Sequence, residues 1–292
     1  MRVASRRSIM RGQRHRPSGG NVVGERAGHV GGSEAWDSGE AYEAYVGRWG
    51  RLVARRFLGW LGVVPGARWL DVGCGTGALA EAILDLAAPR AVVGVDRSPA
   101  YVAFARDRVS DARVRFYVGD ARALREAPAS FDAVVSGLVL NFLPEPEKAV
   151  SEMARVARPG GTVAAYVWDY AEGMQMMRRF WDAAAELDAR ARELDEGRRF
   201  PLCRPEPLAH LFGTAGLKGA EVRAIEVPTV FRDFDDYWSP FLGGQGPAPG
   251  YATSLGEERR GALRERVRAS LPTAQEGGHR LMARAWAARG VR

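Results

Sequence analysis

Lysine is nearly absent from this 292-residue chain: Lys148 and Lys218 stand against forty arginines. That imbalance points to a GC-rich, bacterial coding sequence, in which an Arg-rich leader is not read as an organelle transit peptide. Cysteine is scarce too. Cys74 and Cys203 lie far apart with no metal-ligand spacing around either, which excludes a disulfide framework and fits a reducing cytoplasm. The four histidines, His15, His29, His210 and His279, form no cluster along the sequence, so no bound metal is expected. No apolar run approaches the roughly 20 residues that span a bilayer, and residues 1–33 lack the apolar stretch of a secretory signal.

Positive charge is also scarcer than the net +7 suggests. Residues 1–33 hold seven arginines and one acid, so this leader carries six of the seven net charges. The leader is expected to be disordered. The body, residues 34–292, is nearly neutral and has no basic stripe, which argues against nucleic acid as a partner. With 46% hydrophobic residues and 9% aromatics, it can bury a sizeable core as one domain.

Within the body, apolar residues recur at helical spacing over 41–61 (Tyr42, Tyr45, Val46, Trp49, Val53, Phe57, Trp60). Short apolar runs then alternate with helical patterns through a core over 62–170. Strands are expected at Arg68–Val72, Ala91–Val95, Val114–Val118, Phe131–Val135 and Thr162–Trp168, and a helix at Glu145–Arg158, stopped by Pro159-Gly160-Gly161. This order predicts a doubly wound, mostly parallel α/β sheet. Further on, a helical stripe runs from Met174 to Leu194 in a cap insertion over 171–204. A helix and strand follow over 205–228, the helix stopped at Gly216 and the strand at Glu221–Val227. A long insertion over 229–277 precedes a last strand at 278–288. Insertions of that length beside a sheet build caps or lids.

The densest signal is "WLDVGCGTGALA", Trp69 to Ala80, with three glycines in five positions behind an apolar run and an aspartate. A strand followed by glycines and a helix brings backbone N–H groups against a ligand, because no side chain blocks the approach. Gly73, Gly75 and Ala78 satisfy a dinucleotide fingerprint, and Asp96 lies where a ribose-binding acid belongs. That reading leaves Asp71 unexplained, since a carboxylate beside a pyrophosphate is unfavourable and one beside a cationic group is not.

Taken together, Asp71-Val72-Gly73-Cys74-Gly75-Thr76-Gly77, "VVGVDRS", "YVGDA" and "FDAVVSGLVLNFL…RVARPGGTV" resemble, in order, the motifs of the class I S-adenosylmethionine-dependent methyltransferases. Over about Tyr42 to Trp286 the pattern is similar to the small-molecule enzymes of ubiquinone and menaquinone biosynthesis (methyltransferase type 11). The resemblance implies a seven-stranded, Rossmann-like sheet with helical caps, and S-adenosylmethionine as cofactor. It implies that Gly73, Cys74, Gly75 and Gly77 wall the methionyl and ribose parts and that Asp71 accepts from the amino end. Asp96 takes both ribose hydroxyls, Arg97 and Ser98 flank the adenine, Asp120 and the Ala121 N–H address its edge, and Ser136 and Gly137 border the donor methyl. Asp120 has a second reading as the N-cap of a following short helix. For Arg48 the choice lies between the cofactor carboxylate and a solvated helix face.

The acceptor is less legible. The signature of amino-methylating DNA enzymes is replaced by "SGLVLNF", and Cys203 stands outside any Pro-Cys nucleophile motif. A small-molecule acceptor beneath an aromatic cap is expected, with Gln245 a candidate lid contact. No general base is identified: His210 reads as a surface or packing residue, and Asp169 and Tyr170 read equally well as a loop cap. A cofactor-binding protein without catalysis stays open, as do monomer and homodimer.

Overall fold

The computed structural model describes residues 43–243, 246–272 and 278–292. The leader, Tyr42 and Gln245 lie outside the described residues. Seven strands form one sheet in the order β3-β2-β1-β4-β5-β7-β6. They are β1 (Arg68–Val72), β2 (Ala91–Asp96), β3 (Val114–Val118), β4 (Phe131–Gly137), β5 (Ala157–Trp168), β6 (Lys218–Phe231) and β7 (His279–Val291). Neighbours from β3 to β5 pair in parallel, and β7 is the reversed strand, antiparallel to both β5 and β6. The order of strands reverses between β1 and β4. The crevice at the carboxyl ends of those two strands is where open α/β sheets take their ligands.

The central strands carry the expected buried runs: Leu70, Val72, Ala133, Val134 and Val135 are fully covered. A π-helical turn, Glu43–Gly47, leads into α1 (Arg48–Leu61), which buries Trp49, Val53, Ala54, Phe57 and Leu61 along one face. It ends at Gly62, whose left-handed backbone lets its N–H reach the Leu58 carbonyl. The remaining core helices are α2 (Ala78–Leu86), α3 (Pro99–Arg108) and α4 (Pro146–Val156).

Several expected boundaries move. The helix expected through Arg158 ends at Val156, because Pro159 disfavours a helical Arg158 and Ala157 already pairs with Phe131 in β5. The residues read as its stop belong instead to a register shift in β5, where Gly160 donates to the Arg292 carbonyl. The stripe from Met174 to Leu194 is one helix only to Leu187 (α5, Gln175–Leu187). Asp188 then caps a 3-10 turn by accepting from the Arg190 N–H. The strand expected to stop at Val227 continues through Pro228 to Phe231, which is tolerated because β6 is an edge strand. The last strand likewise runs on to Val291.

The cap is built from α5, α6 (Glu196–Arg199), α8 (Phe234–Trp238), α9 (Pro247–Ser254) and α10 (Glu257–Ser270), while α7 (Pro205–Thr214) packs beside the sheet. Phe180 stacks on Phe241 at 4.5 Å, and Tyr237, Trp238 and Tyr251 add edge-on or tilted contacts. This cluster welds α5 to the 229–277 insertion, each aromatic pair adding about 0.5–1.5 kcal/mol beyond area burial. No helix among the described residues is long and apolar enough to cross a membrane.

Candidate functional site

Asp71 sits in β1 between β2 and β4, level with Gly94 and Val135, and is fully buried. Neither carboxylate oxygen has a hydrogen-bond partner among the described residues. Burial pushes its carboxyl up to about 8, the Asp96 charge adds to the rise, and the Ala80 amide at the start of α2 offsets part of it. An unpartnered buried carboxyl is costly, and a cation delivered beside it would relieve that cost.

The loop that follows is cleared of side chains. Gly73 has φ +75, and a Cβ there would lie 2.5 Å from Val139, so both the turn and the close approach demand glycine. The Gly73 and Cys74 N–H groups both donate to the Val95 carbonyl, at 2.7 and 2.9 Å, tying the loop to the end of β2. At Gly75, φ is +48 and nothing stands where a Cβ would be, so this backbone faces open space. Gly77 caps α2 with its own N–H bonded to the Cys74 carbonyl. The Cys74 thiol is buried and held well above its ordinary range, first by burial and then by Asp71 and Asp96, so it stays protonated.

Asp96 ends β2 as a shaped acceptor. One oxygen accepts the Gly75 N–H at 2.9 Å and the other the Ser98 N–H at 2.8 Å. A carboxylate has about four lone-pair sites, so capacity remains for two further donors. Burial raises its carboxyl and those two N–H bonds counteract the rise. Ser98 caps α3 by accepting from Tyr101, and Arg97 beside it is exposed.

Asp120 and Ala121 follow β3. Asp120 accepts from the Arg122 N–H at 2.8 Å and pairs with the Arg122 guanidinium at 2.7 Å, which holds its carboxyl down to about 2. No helix follows it, so the N-cap reading gives way to a turn closed by Arg122. Ser136 is fully buried with an unpartnered hydroxyl, and the Tyr166 hydroxyl occupies the space that a Cβ on Gly137 would need. Beyond them Leu138 takes a positive φ of 62°, and both amide atoms of Asn141 are buried without partners. Strain and unsatisfied polar atoms thus gather at the end of β4.

The segment before the sheet closes over this crevice. Thr76 donates its hydroxyl to Glu43 at 2.7 Å, and Arg51 joins Glu43 at 3.0 Å to Glu81. Arg48 goes elsewhere than either sequence reading: it pairs with Asp236 of the cap at 3.1 Å and lies over the Trp49 and Phe231 rings. Sequence reasoning missed Glu43, Thr76 and Asn141. Thr76 stands inside the quoted motif and was the available signal; the other two become visible through long-range contacts and burial. Asp169 is locked to Arg284 of β7 at 2.6 Å and accepts the Glu172 N–H, as a loop cap does. His210 is exposed on α7 and is no part of the site.

A family described as a methyltransferase domain matches residues 70–165, from β1 into β5. The rest of the chain lies outside that match. Around it the chain has the class I methyltransferase fold, a Rossmann-like sheet with one reversed strand. The chain is 43% identical to the demethylmenaquinone methyltransferase of Renibacterium salmoninarum over 39% of its own length and 45% of that protein's. It is 30% identical to the 2-methyl-6-phytyl-1,4-hydroquinone methyltransferase of Synechocystis over 62% of its own length and 57% of that protein's. The chain thus spans about half the length of these curated relatives. Among solved structures, the Haemonchus contortus phosphoethanolamine N-methyltransferase 2 in complex with S-adenosyl-L-methionine superposes with a TM-score of 0.53. The likeness, at 21% identity over 87% of this chain and 56% of that one, is one of fold.

Proposed function

We propose that this protein transfers a methyl group from S-adenosylmethionine to a small-molecule acceptor in the cytoplasm. The observation that carries the reading is the Asp71 carboxyl, fully buried and without a hydrogen-bond partner, at the edge of a glycine backbone cleared of side chains. It suits the ammonium group of a methionyl end and opposes the pyrophosphate of a dinucleotide.

The other residues fit the rest of that molecule. The Gly73 to Gly77 backbone lies along the methionyl and ribose parts, and Asp96 takes the two ribose hydroxyls on its remaining lone pairs. Arg97 and Ser98 flank the adenine, with Asp120 and the Ala121 N–H at its edge; Arg122 shares Asp120 and must yield some of it. Ser136, Gly137 and Asn141 border the methyl. When bound, the sulfonium supplies an already activated methyl group. The protein's part is then to hold the acceptor in line with the S–C bond and to exclude water. The Glu43–Thr76 contact and the aromatic cap perform that closure. The names of the curated relatives and the near-neutral body support a quinol-like or other small acceptor, and two free, buried cysteines accord with the cytoplasm.

Calorimetry with S-adenosylhomocysteine tests the reading, with a nicotinamide dinucleotide as the competing ligand. Binding of the first is expected. Uptake of the dinucleotide with no response to S-adenosylhomocysteine at millimolar concentration overturns it, and cofactor binding without turnover over phenols, quinols, amines and acids favours a non-catalytic role.

A further inference from the structure

We propose that Glu196 is the proton acceptor for the methyl acceptor, and that with the Tyr45 hydroxyl it forms the recognition site for an aromatic ring bearing a hydroxyl group. This rests on the methyl-transfer reading and deepens it.

Glu196 opens α6 in the cap and is 2% exposed. Its carboxylate accepts from the Trp181 indole N–H. The neighbouring Asp195 is already neutralised by Arg178 at 2.9 Å and caps α6 through the Gly197 N–H, which leaves Glu196 as the unneutralised acid. Tyr45, in the turn before α1, is buried to 1% exposure, and its hydroxyl has no partner among the described residues. Tyr45 meets Phe241 at 5.5 Å, Phe241 stacks on Phe180 at 4.5 Å, and Phe180 meets Trp181, the donor to Glu196, at 5.2 Å, so one aromatic cluster joins the two groups. A buried hydroxyl without a partner keeps its full capacity to bond a ligand.

The position relative to the sheet supports a role in chemistry. Tyr45 stands two residues from Glu43, which holds Thr76 of the glycine loop. A Cβ on Gly197 would lie 2.9 Å from the Tyr170 carbonyl, so α6 rests on the chain leaving β5. Phe200 at the end of α6 meets Phe142, just past β4, at 5.1 Å. The elements that carry Tyr45 and Glu196 therefore rest on the segments leaving β1, β4 and β5, the same edge that carries Asp71 and Ser136.

Burial lifts the Glu196 carboxyl to about 7, with Asp195 adding to the rise and Trp181 and Arg178 opposing it. A base poised there is ionised often enough at neutral pH and still holds a proton well. In the step, the acceptor O–H bond breaks and its proton passes to a Glu196 oxygen. The acceptor oxygen's electron pair forms the new O–C bond, and the C–S bond breaks with its pair left on sulfur. The Glu196 proton then returns to solvent. The charged and polar groups that act on Glu196 are Trp181 and Arg178 from α5 and Asp195 from its own segment, and Glu196 in turn acts on Tyr45 of the entry turn.

The test uses the full chain saturated with S-adenosylhomocysteine, with catechol and hydroquinone as probes followed by calorimetry. The parent is expected to bind at least one probe, with affinity changing through pH 7. Glu196→Gln, which keeps an acceptor for Trp181, should weaken that probe about tenfold or more and lose the pH dependence, and Tyr45→Phe should weaken it several-fold. For any aromatic hydroxyl compound turned over with S-adenosylmethionine, Glu196→Gln should lower kcat by about a hundredfold and erase the limb of the pH profile near 7. If the parent binds S-adenosylhomocysteine but neither probe, or if Glu196→Gln matches the parent, the Glu196 assignment falls and the cofactor reading stands. If the parent does not bind S-adenosylhomocysteine, both fall.

Discussion

Thr76, inside the glycine loop, donates its hydroxyl to Glu43 at 2.7 Å, joining that loop to the turn that precedes α1. The bond matters because Glu43 is also held by Arg51, which reaches Glu81 on α2. One hydroxyl thus connects the loop, the entry segment and the helix behind the loop.

Removing it should loosen the cover. Thr76→Val keeps the shape but leaves a carboxylate oxygen unpaired, at a cost of about 1–2 kcal/mol. A fall in Tm of a few degrees and weaker S-adenosylhomocysteine binding are expected, with Thr76→Ser close to the parent in both. Thermal melts and calorimetry check this, and a Thr76→Val protein with unchanged affinity would show that the entry turn plays no part in holding the ligand.

Asp71 should be a site where stability is given up for function. Its folded-state value of about 8 lies above the ordinary ~3.9 of an unfolded aspartate. Between those values the folded protein keeps a proton that the unfolded chain has released, so this group's stabilising contribution is lost as pH rises through the window, by at most ~1.4 kcal/mol per pH unit. Asp71→Asn has no proton to lose. Its Tm should therefore exceed the parent's by an amount that grows from pH 5 to pH 8, and parallel melts at the two pH values read the difference.

The same carboxyl should make cofactor binding pH-dependent. An ammonium group favours the ionised form, so binding should expel the Asp71 proton. Affinity for S-adenosylhomocysteine should rise between pH 6 and 8, by up to about tenfold per unit, and level off above. Calorimetry in buffers of different ionisation heat reads the released proton directly. Asp71→Asn should bind weakly, with this dependence gone.

At Asp96 the expected effect is on affinity. Asp96→Ala removes the proposed acceptor for two ribose hydroxyls and unpairs the Gly75 and Ser98 N–H groups. At about 1.5–3 kcal/mol for a charge-assisted bond, binding should weaken tenfold or more. Titration with S-adenosylhomocysteine gives the answer, and parent-like affinity would remove Asp96 from the site.

Much of this was open to reading along the chain. The glycine loop, the strands from β1 to β4 and the places of Asp71 and Asp96 at strand ends depend on neighbours a few residues away, or on a motif whose parts come in order. The missed features depend on distance. Pro159-Gly160-Gly161 looked like the end of a helix because its hydrogen-bond partner, Arg292, is remote in sequence. Arg48 looked like a ligand for the cofactor or a solvated side chain because nothing local announces Asp236. Glu196 lies among exposed arginines in sequence, and only the folded cap puts it beside Trp181.

By itself the sequence determined where the backbone must turn and where side chains are forbidden, since a positive φ at Gly73 and Gly75 is a property of the residue in place. Tertiary structure alone decided which polar groups would be stripped of water and left without partners. Desolvation is set by everything that packs around a group, so Asp71, Asn141 and the Tyr45 hydroxyl acquire their chemistry only when distant segments close over them.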